Sequence, residues 1–137
     1  MVLTYARKVN FYETDAQGIV HHSNYPRYFE ECRGSYLESI GLPYHILRDE
    51  YKVDVVLLEL NVKYTNPLKF GDIFKIEFRL DSIDSYFFSF KYEIYTDRKI
   101  AEGFTKHCCV NSQTKRVIKV PKVLKEKMEL GDVGRDS

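Results

Sequence analysis

The feature that most constrains the fold is a regular alternation of apolar and polar residues, which returns in three separate runs after Asp54. Alternation with a period of two places the apolar side chains on one face of a β-strand. The apolar positions are Val56, Leu58, Leu60, Val62 and Tyr64 in the first run, Phe74, Ile76, Phe78 and Leu80 in the second, and Phe88, Phe90, Tyr92 and Ile94 in the third. Turn-forming residues separate the runs, so the pattern predicts a largely antiparallel sheet with one apolar face.

A different spacing marks residues 23–41, where apolar residues recur at helical intervals. Ser23 or Asn24 is a suitable N-cap, Pro26 is tolerated in the first turn, and Gly41 followed by Pro43 ends the segment. The apolar stripe consists of Tyr25, Tyr28, Phe29, Cys32, Tyr36, Leu37 and Ile40, and the other faces carry Arg27, Glu30, Glu31, Arg33 and Glu38. We therefore expect one long helix that covers the apolar face of the sheet.

The remaining segments complete an α+β fold with five or six strands. One helix cannot cover so many aromatic strand positions, so the sheet is predicted to pair with a second subunit. The whole chain is predicted to be one domain, residues 1–137, with a flexible tail at residues 131–137. The other predicted elements are a first strand at residues 2–11, a loop at 13–22, a fourth long strand at 99–111, an edge strand at 116–120 and a final helix at 122–130.

Composition excludes several classes of function. Lys and Arg number 21 against 20 Asp and Glu, so no overall charge favours nucleic acid or an anionic membrane. No apolar run approaches the roughly 20 residues of a membrane span, and the first residues lack the apolar core of a signal peptide. Cys32, Cys108 and Cys109 fit neither a disulfide framework nor a zinc site. We expect buried free thiols, no metal, no cofactor and a cytoplasmic location.

The predicted loop at residues 13–22 carries the most informative side chain, the carboxylate of Asp15. Free N–H groups at a helix start, together with the positive end of the helix dipole, can polarise a carbonyl oxygen or hold an oxyanion. A carboxylate folded back toward that helix could attack the carbonyl or activate a water molecule. Both requirements of acyl-transfer hydrolysis are met in one short segment, although a local Asx turn at Asp15 is an alternative reading.

Two stretches of the chain resemble the 4-hydroxybenzoyl-CoA thioesterase family, and within it the YbgC-type branch of acyl-CoA thioester hydrolases. One is the loop and helix start, Asp15-x-x-Gly18-Ile19-Val20-x-x-x-Asn24-Tyr25, followed by an aromatic-rich helix. The other resembles the family's Tyr-x-x-Pro…Asp connection and reads Tyr64-Thr65-Asn66-Pro67-Leu68-Lys69-Phe70-Gly71-Asp72. The strand order fits across nearly the whole chain, and the combination is far more specific than a lone Asp-x-x-Gly.

This resemblance implies a hotdog fold, in which an antiparallel sheet wraps a long central helix and two subunits join their sheets into one. It implies active sites at the subunit interface and dimers that pair into homotetramers. Carried over by position, Asp15 matches the catalytic carboxylate, and His22 matches the residue whose backbone N–H points at the thioester carbonyl. Gly18 matches the glycine that lets the loop turn, and Asn24 and Tyr25 match the pair that opens the helix, with structural roles.

The implied activity is hydrolysis of an acyl-CoA, or of an acyl group on acyl carrier protein, to free acid and thiol. Asp15 would act either as a nucleophile or as a general base. Two other functions stay open. The first is a non-catalytic acyl-CoA or acyl-carrier-protein binding module, which has no need for a carboxylate at position 15. The second and less favoured is a hotdog dehydratase or hydratase, whose catalytic His and acidic residue lie on the helix and its approach.

Other titratable side chains near the helix offer alternatives to Asp15. The adjacent His21 and His22 are expected to point in different directions and not to bind a metal, although the His22 side chain could contact substrate or tune Asp15. Glu30, Glu31 and Glu38 could be catalytic, because one hotdog branch uses a helix glutamate. Their expected place is a solvated or interface face of the helix.

Overall fold

The computed structural model describes residues 3–131, so the predicted flexible tail lies almost wholly outside the described residues. Within these residues, six strands and three helices follow one another, and a short 3-10 helix, Phe11–Glu13, lies between β1 and α1. The elements are β1 (Leu3–Lys8), α1 (Asn24–Ser39), α2 (Tyr44–Tyr51), β2 (Val53–Tyr64), β3 (Ile73–Ile83), β4 (Phe87–Tyr95), β5 (Lys99–Asn111), β6 (Val117–Ile118) and α3 (Lys122–Gly131).

All strand pairs in the described part of the chain are antiparallel, and they form one sheet in the order β1-β3-β4-β5-β2, with β6 beside β5. The register aligns the predicted apolar positions of β3 and β4, where Phe78 lies opposite both Leu3 and Tyr92. The run predicted in β2 does not form one buried face, because a bulge between Leu57 and Glu59 shifts the register and Leu58, Leu60 and Tyr64 are exposed. The predicted α+β class and antiparallel sheet are therefore confirmed. No helix among residues 3–131 is both long and apolar enough to span a membrane.

Helix α1 packs its aromatic stripe on the apolar face of the sheet, as predicted. Tyr28, Phe29 and Cys32 are fully buried. The Phe29 ring stacks on Tyr92 with ring centroids 4.2 Å apart, and it also lies directly over Gly103 of β5. A side chain at position 103 would occupy the space that this ring fills, so Gly103 lets the helix approach the sheet closely.

Three sequence predictions need correction. The first strand ends at Lys8 and not at residue 11, because the Glu13 carboxylate accepts the Asn10 N–H and closes a 3-10 turn. Residues 44–51, for which the sequence predicts no element, form α2, because Pro43 serves as its N-cap as well as ending the segment before it. Arg33, expected on a polar face of α1, is only 9% exposed, because Tyr44 of α2 covers it.

We expect Gly103→Ala to lower the free energy of unfolding by about 2 kcal/mol or more, because the new methyl group would overlap the Phe29 ring in a filled core. Gly34→Ala is the matched control. Its added carbon would meet only Tyr44, at 3.8 Å, within a helix, so it should stabilise the protein by up to about 1 kcal/mol. Urea denaturation of both variants measures the difference. Equal effects would contradict the close helix–sheet contact at Gly103.

Candidate active site

The segment from Thr14 to Val20 forms a small hairpin that presents Asp15 near its turn. Thr14 pairs with Val20, and the Asp15 N–H donates to the Ile19 carbonyl at 2.8 Å. The Gly18 N–H donates back to the Asp15 carbonyl at 3.0 Å. Gly18 adopts a left-handed conformation with φ +77°, which a residue with a Cβ adopts only with strain. The tight turn therefore depends on glycine at this position.

The segment between β2 and β3 supports the hairpin from one side. The Val20 N–H donates to the Leu68 carbonyl, and the Phe70 N–H donates to the Gly18 carbonyl, each at 2.9 Å. Ile19 also pairs with Lys69 as an isolated antiparallel bridge. These contacts join the two stretches that carry the family resemblance.

The Asp15 side chain is exposed, and only one of its two carboxylate oxygens is hydrogen-bonded within the described residues. Its Oδ1 atom accepts hydrogen bonds from the backbone N–H groups of Gln17 at 2.8 Å and Ile19 at 3.3 Å. The Oδ2 atom has no hydrogen-bond partner among residues 3–131. The expected Asx turn is thus present, and it orients the carboxylate while leaving one oxygen available to a ligand.

The start of α1 leaves one backbone N–H without a partner. The N–H groups of His21, Asn24 and Tyr25 donate to backbone carbonyls, and the Ser23 N–H donates to His21 Nδ1. Within the described residues, the His22 N–H makes no hydrogen bond. This donor lies just before a helix of 16 residues, where the helix dipole favours negative charge. It is suited to donate a hydrogen bond to a carbonyl oxygen or an oxyanion.

The pair that opens the helix is buried and structural. The Asn24 side chain, 5% exposed, donates to the Glu13 carbonyl at 2.8 Å and to the His21 carbonyl at 3.3 Å. The Tyr25 ring packs edge-on against Tyr64, with ring centroids 5.0 Å apart. Burial raises the pKa of Tyr25 to about 12, so this phenol is a poor acid or base near neutral pH. Asn24 anchors the helix start to the residue before the hairpin, and Tyr25 packs the helix start against β2.

Sequence reasoning missed the residue that ties the hairpin to the rest of the fold. Glu13 is 4% exposed, and its carboxylate is held in a bidentate contact by Arg7 at 2.7 and 2.8 Å. Arg7 binds Glu31 of α1 with its other nitrogen, so Glu31 is an ion-pair residue and not merely a solvated one. The Glu13 carbonyl also accepts the His21 N–H at 2.9 Å. The position of Glu13, three residues after Asn10, is the only sequence signal that suggests this role.

The two adjacent histidines do not point in different directions, which corrects the expectation. Their rings lie against each other with centroids 4.1 Å apart, because the tight turn at the helix start holds His21 Nδ1 against Ser23 Oγ at 2.8 Å. No group of three or more His, Cys, Asp or Glu residues in the described ranges is arranged to hold a metal. The three cysteines are buried free thiols, as predicted, and burial raises the pKa of Cys109 to about 12.

A family model described as the thioesterase-like superfamily matches residues 9–128, which include the hairpin and the start of α1. The chain belongs to this superfamily. The resemblance stated from the Asp15 motif is therefore confirmed, and so is the prediction that the protein is a thioester hydrolase. The match covers nearly all of the described elements, from the residue after β1 through most of α3.

Two solved structures and a curated relative are similar to this chain over most of its length. A hypothetical protein from Aquifex aeolicus gives a TM-score of 0.87 at 42% identity, covering 92% of this chain and 98% of that one. A hypothetical protein from Thermus thermophilus gives a TM-score of 0.87 at 33% identity, covering 95% of this chain and 97% of that one. The acyl-CoA thioesterase YbgC of Haemophilus influenzae is 24% identical over 119 residues, 86% of this chain and 88% of that protein.

We expect Arg7→Met to lower the free energy of unfolding by about 3 kcal/mol, because it leaves the nearly buried Glu13 carboxylate without its cation. Arg27→Met is the matched control, since Arg27 is an exposed residue of α1, and it should change stability by less than about 0.5 kcal/mol. Urea titration measures both variants. Similar small changes in the two would contradict the role of Arg7 as the anchor of the hairpin.

Proposed function

We propose that this protein hydrolyses acyl-CoA thioesters and that Asp15 is the catalytic carboxylate. The observation that supports this most is that one short segment carries an exposed carboxylate oxygen and an unpaired backbone N–H at a helix start. Hydrolysis of a thioester needs a group that delivers the attacking oxygen and a donor that stabilises the oxyanion. The similarity to a relative named as an acyl-CoA thioesterase supports the same substrate class.

In the nucleophilic route, Asp15 Oδ2 attacks the thioester carbon, and the carbonyl oxygen becomes an oxyanion that accepts the His22 N–H. Collapse of this intermediate expels the coenzyme A thiolate and leaves a mixed anhydride on Asp15. Water then cleaves the anhydride, which releases the free acid and restores the carboxylate. The two backbone hydrogen bonds to Oδ1 hold Asp15 in place while Oδ2 reacts.

In the general-base route, Asp15 removes a proton from a water molecule that attacks the same carbon. The oxyanion is held in the same way, and the proton passes to the departing thiolate when the intermediate collapses. The thiolate of coenzyme A is a good leaving group, so neither route requires a strong general acid. Both routes convert thioester and water into a carboxylic acid and a thiol.

The remaining residues of the proposed site act by holding this geometry. Gly18 allows the turn, and its carbonyl accepts the Phe70 N–H. Asn24 joins the hairpin to the helix start, and the buried Tyr25 packs against Tyr64 of β2. Acyl carrier protein as the carrier and a cytoplasmic location stay predictions from the sequence.

We further propose that β2 pairs with the same strand of a second copy, so that two sheets become continuous. In the described chain β2 pairs only with β5, which leaves 12 residues with an open edge. Leu57, Leu58, Leu60 and Tyr64 on this strand are between 42% and 51% exposed. A long apolar edge strand is prone to pairing with other chains, and a specific partner removes that hazard. A homotetramer built from two such dimers is the further prediction from the resemblance.

The proposed chemistry predicts that Asp15→Asn folds normally and lowers turnover of acyl-CoAs by about 10² to 10⁴-fold, since the amide can neither attack nor accept a proton. Asp84→Asn is the matched control, because Asp84 also accepts two backbone N–H groups in an exposed turn. A free-thiol release assay over acyl-CoAs of different chain length measures both variants and the wild type.

Loss of turnover in Asp15→Asn alone would support the assignment. Equal turnover in all three proteins would place the chemistry on another residue. Binding of acyl-CoA by the wild type without any turnover would favour the non-catalytic binding module.

The proposed dimer predicts that Leu60→Lys shifts the sedimentation coefficient from that of a dimer or tetramer toward that of a monomer, because two charged edges would face each other. Leu130→Lys changes an equally apolar and more exposed residue of α3 and serves as the control, with no expected change. Sedimentation velocity at micromolar concentration compares the two variants. Association that survives Leu60→Lys unchanged would contradict pairing through β2.

A further inference from the structure

The outer face of the sheet, on the side away from α1, is open and charged. The three described helices all pack on the other side, where Leu37 of α1, Tyr44 of α2 and Leu124 of α3 line one small cavity with Phe88 and Phe90 of β4. The alternation of β3 and β4 turns every second residue outward. The charged side chains on the outer face line a shallow depression of about 400 Å³ and are Lys63, Glu77, Arg79, Lys91, Glu93 and Glu102.

The strand register arranges these outward charges in rows that cross the strands. Glu77 of β3 lies opposite Glu93 of β4, and Glu93 lies opposite Glu102 of β5, so three carboxylates form an acidic row. Arg79 of β3 lies opposite Lys91 of β4, and these two residues form a basic row. Two residues along each strand separate the rows, a distance of about 7 Å. Each row is unfavourable by itself, because like charges directly opposite each other destabilise a sheet.

The chain neutralises the acidic row only in part. The Tyr95 hydroxyl donates to Glu77 Oε1 at 2.9 Å, and Lys99 Nζ donates to Glu102 Oε2 at 2.9 Å. Glu93 lies between these two carboxylates and is exposed. Within residues 3–131, the Glu93 carboxylate forms no hydrogen bond and no ion pair. The centre of the acidic row therefore keeps its charge.

The basic row also keeps positive charge. Arg79 is exposed, and in the part of the chain that the structure describes it forms no ion pair. Lys91 lies 3.4 Å from Asp81, but its side chain is 54% exposed. An exposed pair of this kind contributes little to stability, so Lys91 can exchange its partner at small cost. The outer face thus presents an acidic and a basic row side by side.

We propose that the outer face binds the outer face of a second copy of this chain. A two-fold axis that runs between the two rows and parallel to them places the acidic row of each copy over the basic row of the other. Each strand then lies over its own equivalent, so Glu93 faces Lys91 of the second copy and Glu77 faces Arg79 of the second copy. A two-fold interface uses the same patch twice, so every such pair forms twice.

The size of the outer face fits this occupant. Five strands about 4.8 Å apart, with about eight outer-face and core-face residues each, make a surface of about 25 by 25 Å, or about 600 Å². A specific interface of standard size buries about 800 Å² on each partner. Two chains joined through β2, as proposed above, present about twice the area of one chain and exceed that size. The charge argument depends neither on the β2 pairing nor on the thioesterase chemistry.

Charge exchange between the rows tests the proposal by analytical ultracentrifugation at micromolar protein. Glu93→Lys and Lys91→Glu each place like charges face to face, so each should halve the mass of the wild-type assembly and raise its Kd at least about tenfold. The double variant Glu93→Lys with Lys91→Glu exchanges the rows within one chain, restores opposite charges across the interface and should restore the mass. Glu129→Lys makes the same charge change on an exposed residue of α3 and is the matched control, with no expected change.

A mixing experiment keeps the test independent of how either single variant packs. Equal amounts of Glu93→Lys and Lys91→Glu should form a mixed assembly of the full mass, because every new lysine then faces a new glutamate. Unchanged mass in either single variant would overturn the proposal and leave the outer face to a different partner. Failure of both the double variant and the mixture to regain the full mass would overturn it as well, because the charges would then not be paired across the interface.

Discussion

The contact on which the rest of the structure depends is the close approach of α1 to the sheet, where the Phe29 ring lies over Gly103 and stacks on Tyr92. This contact sets how deeply the helix lies on the strands, because a protein core is close-packed and transmits displacements. The same contact therefore positions the start of α1 and, with it, the N–H of His22. A helix held further from the sheet would carry this donor away from the segment between β2 and β3 that supports the hairpin.

The hairpin and the helix start are joined mainly through backbone atoms. The Glu13 carbonyl accepts the His21 N–H and the Asn24 amide, and the Leu68 carbonyl accepts the Val20 N–H. Arg7 then holds the Glu13 carboxylate through a bidentate ion pair. Backbone hydrogen bonds keep their geometry when side chains change, so this arrangement can present a carboxylate and an oxyanion donor with few fixed residues. The proposed site is thus a property of the local fold as much as of Asp15.

The elements that the sequence predicted are those whose side chains meet one large apolar surface. The alternation in β3 and β4 and the stripe of α1 were clear because each element buries several residues on one face. Helix α2 buries only Leu47 and follows Pro43, so its pattern was too weak to detect. The Arg7–Glu13 pair and the buried Arg33 could not be predicted, because they depend on the 3-10 turn and on α2. The family resemblance pointed to Asp15 and His22. The hairpin and the helix start explain how one short segment presents both a carboxylate with a free oxygen and an unpaired N–H.

A crystal structure of the Asp15→Asn variant with an intact acyl-CoA tests the central claim most directly, because it locates the thioester itself. We expect a carbonyl oxygen about 3 Å from the His22 backbone nitrogen. In the nucleophilic route the carbonyl carbon lies about 3 to 3.5 Å from the side chain at position 15, and in the general-base route one water molecule lies between them. A thioester bound elsewhere, with the hairpin and the start of α1 free of ligand, would contradict the central claim.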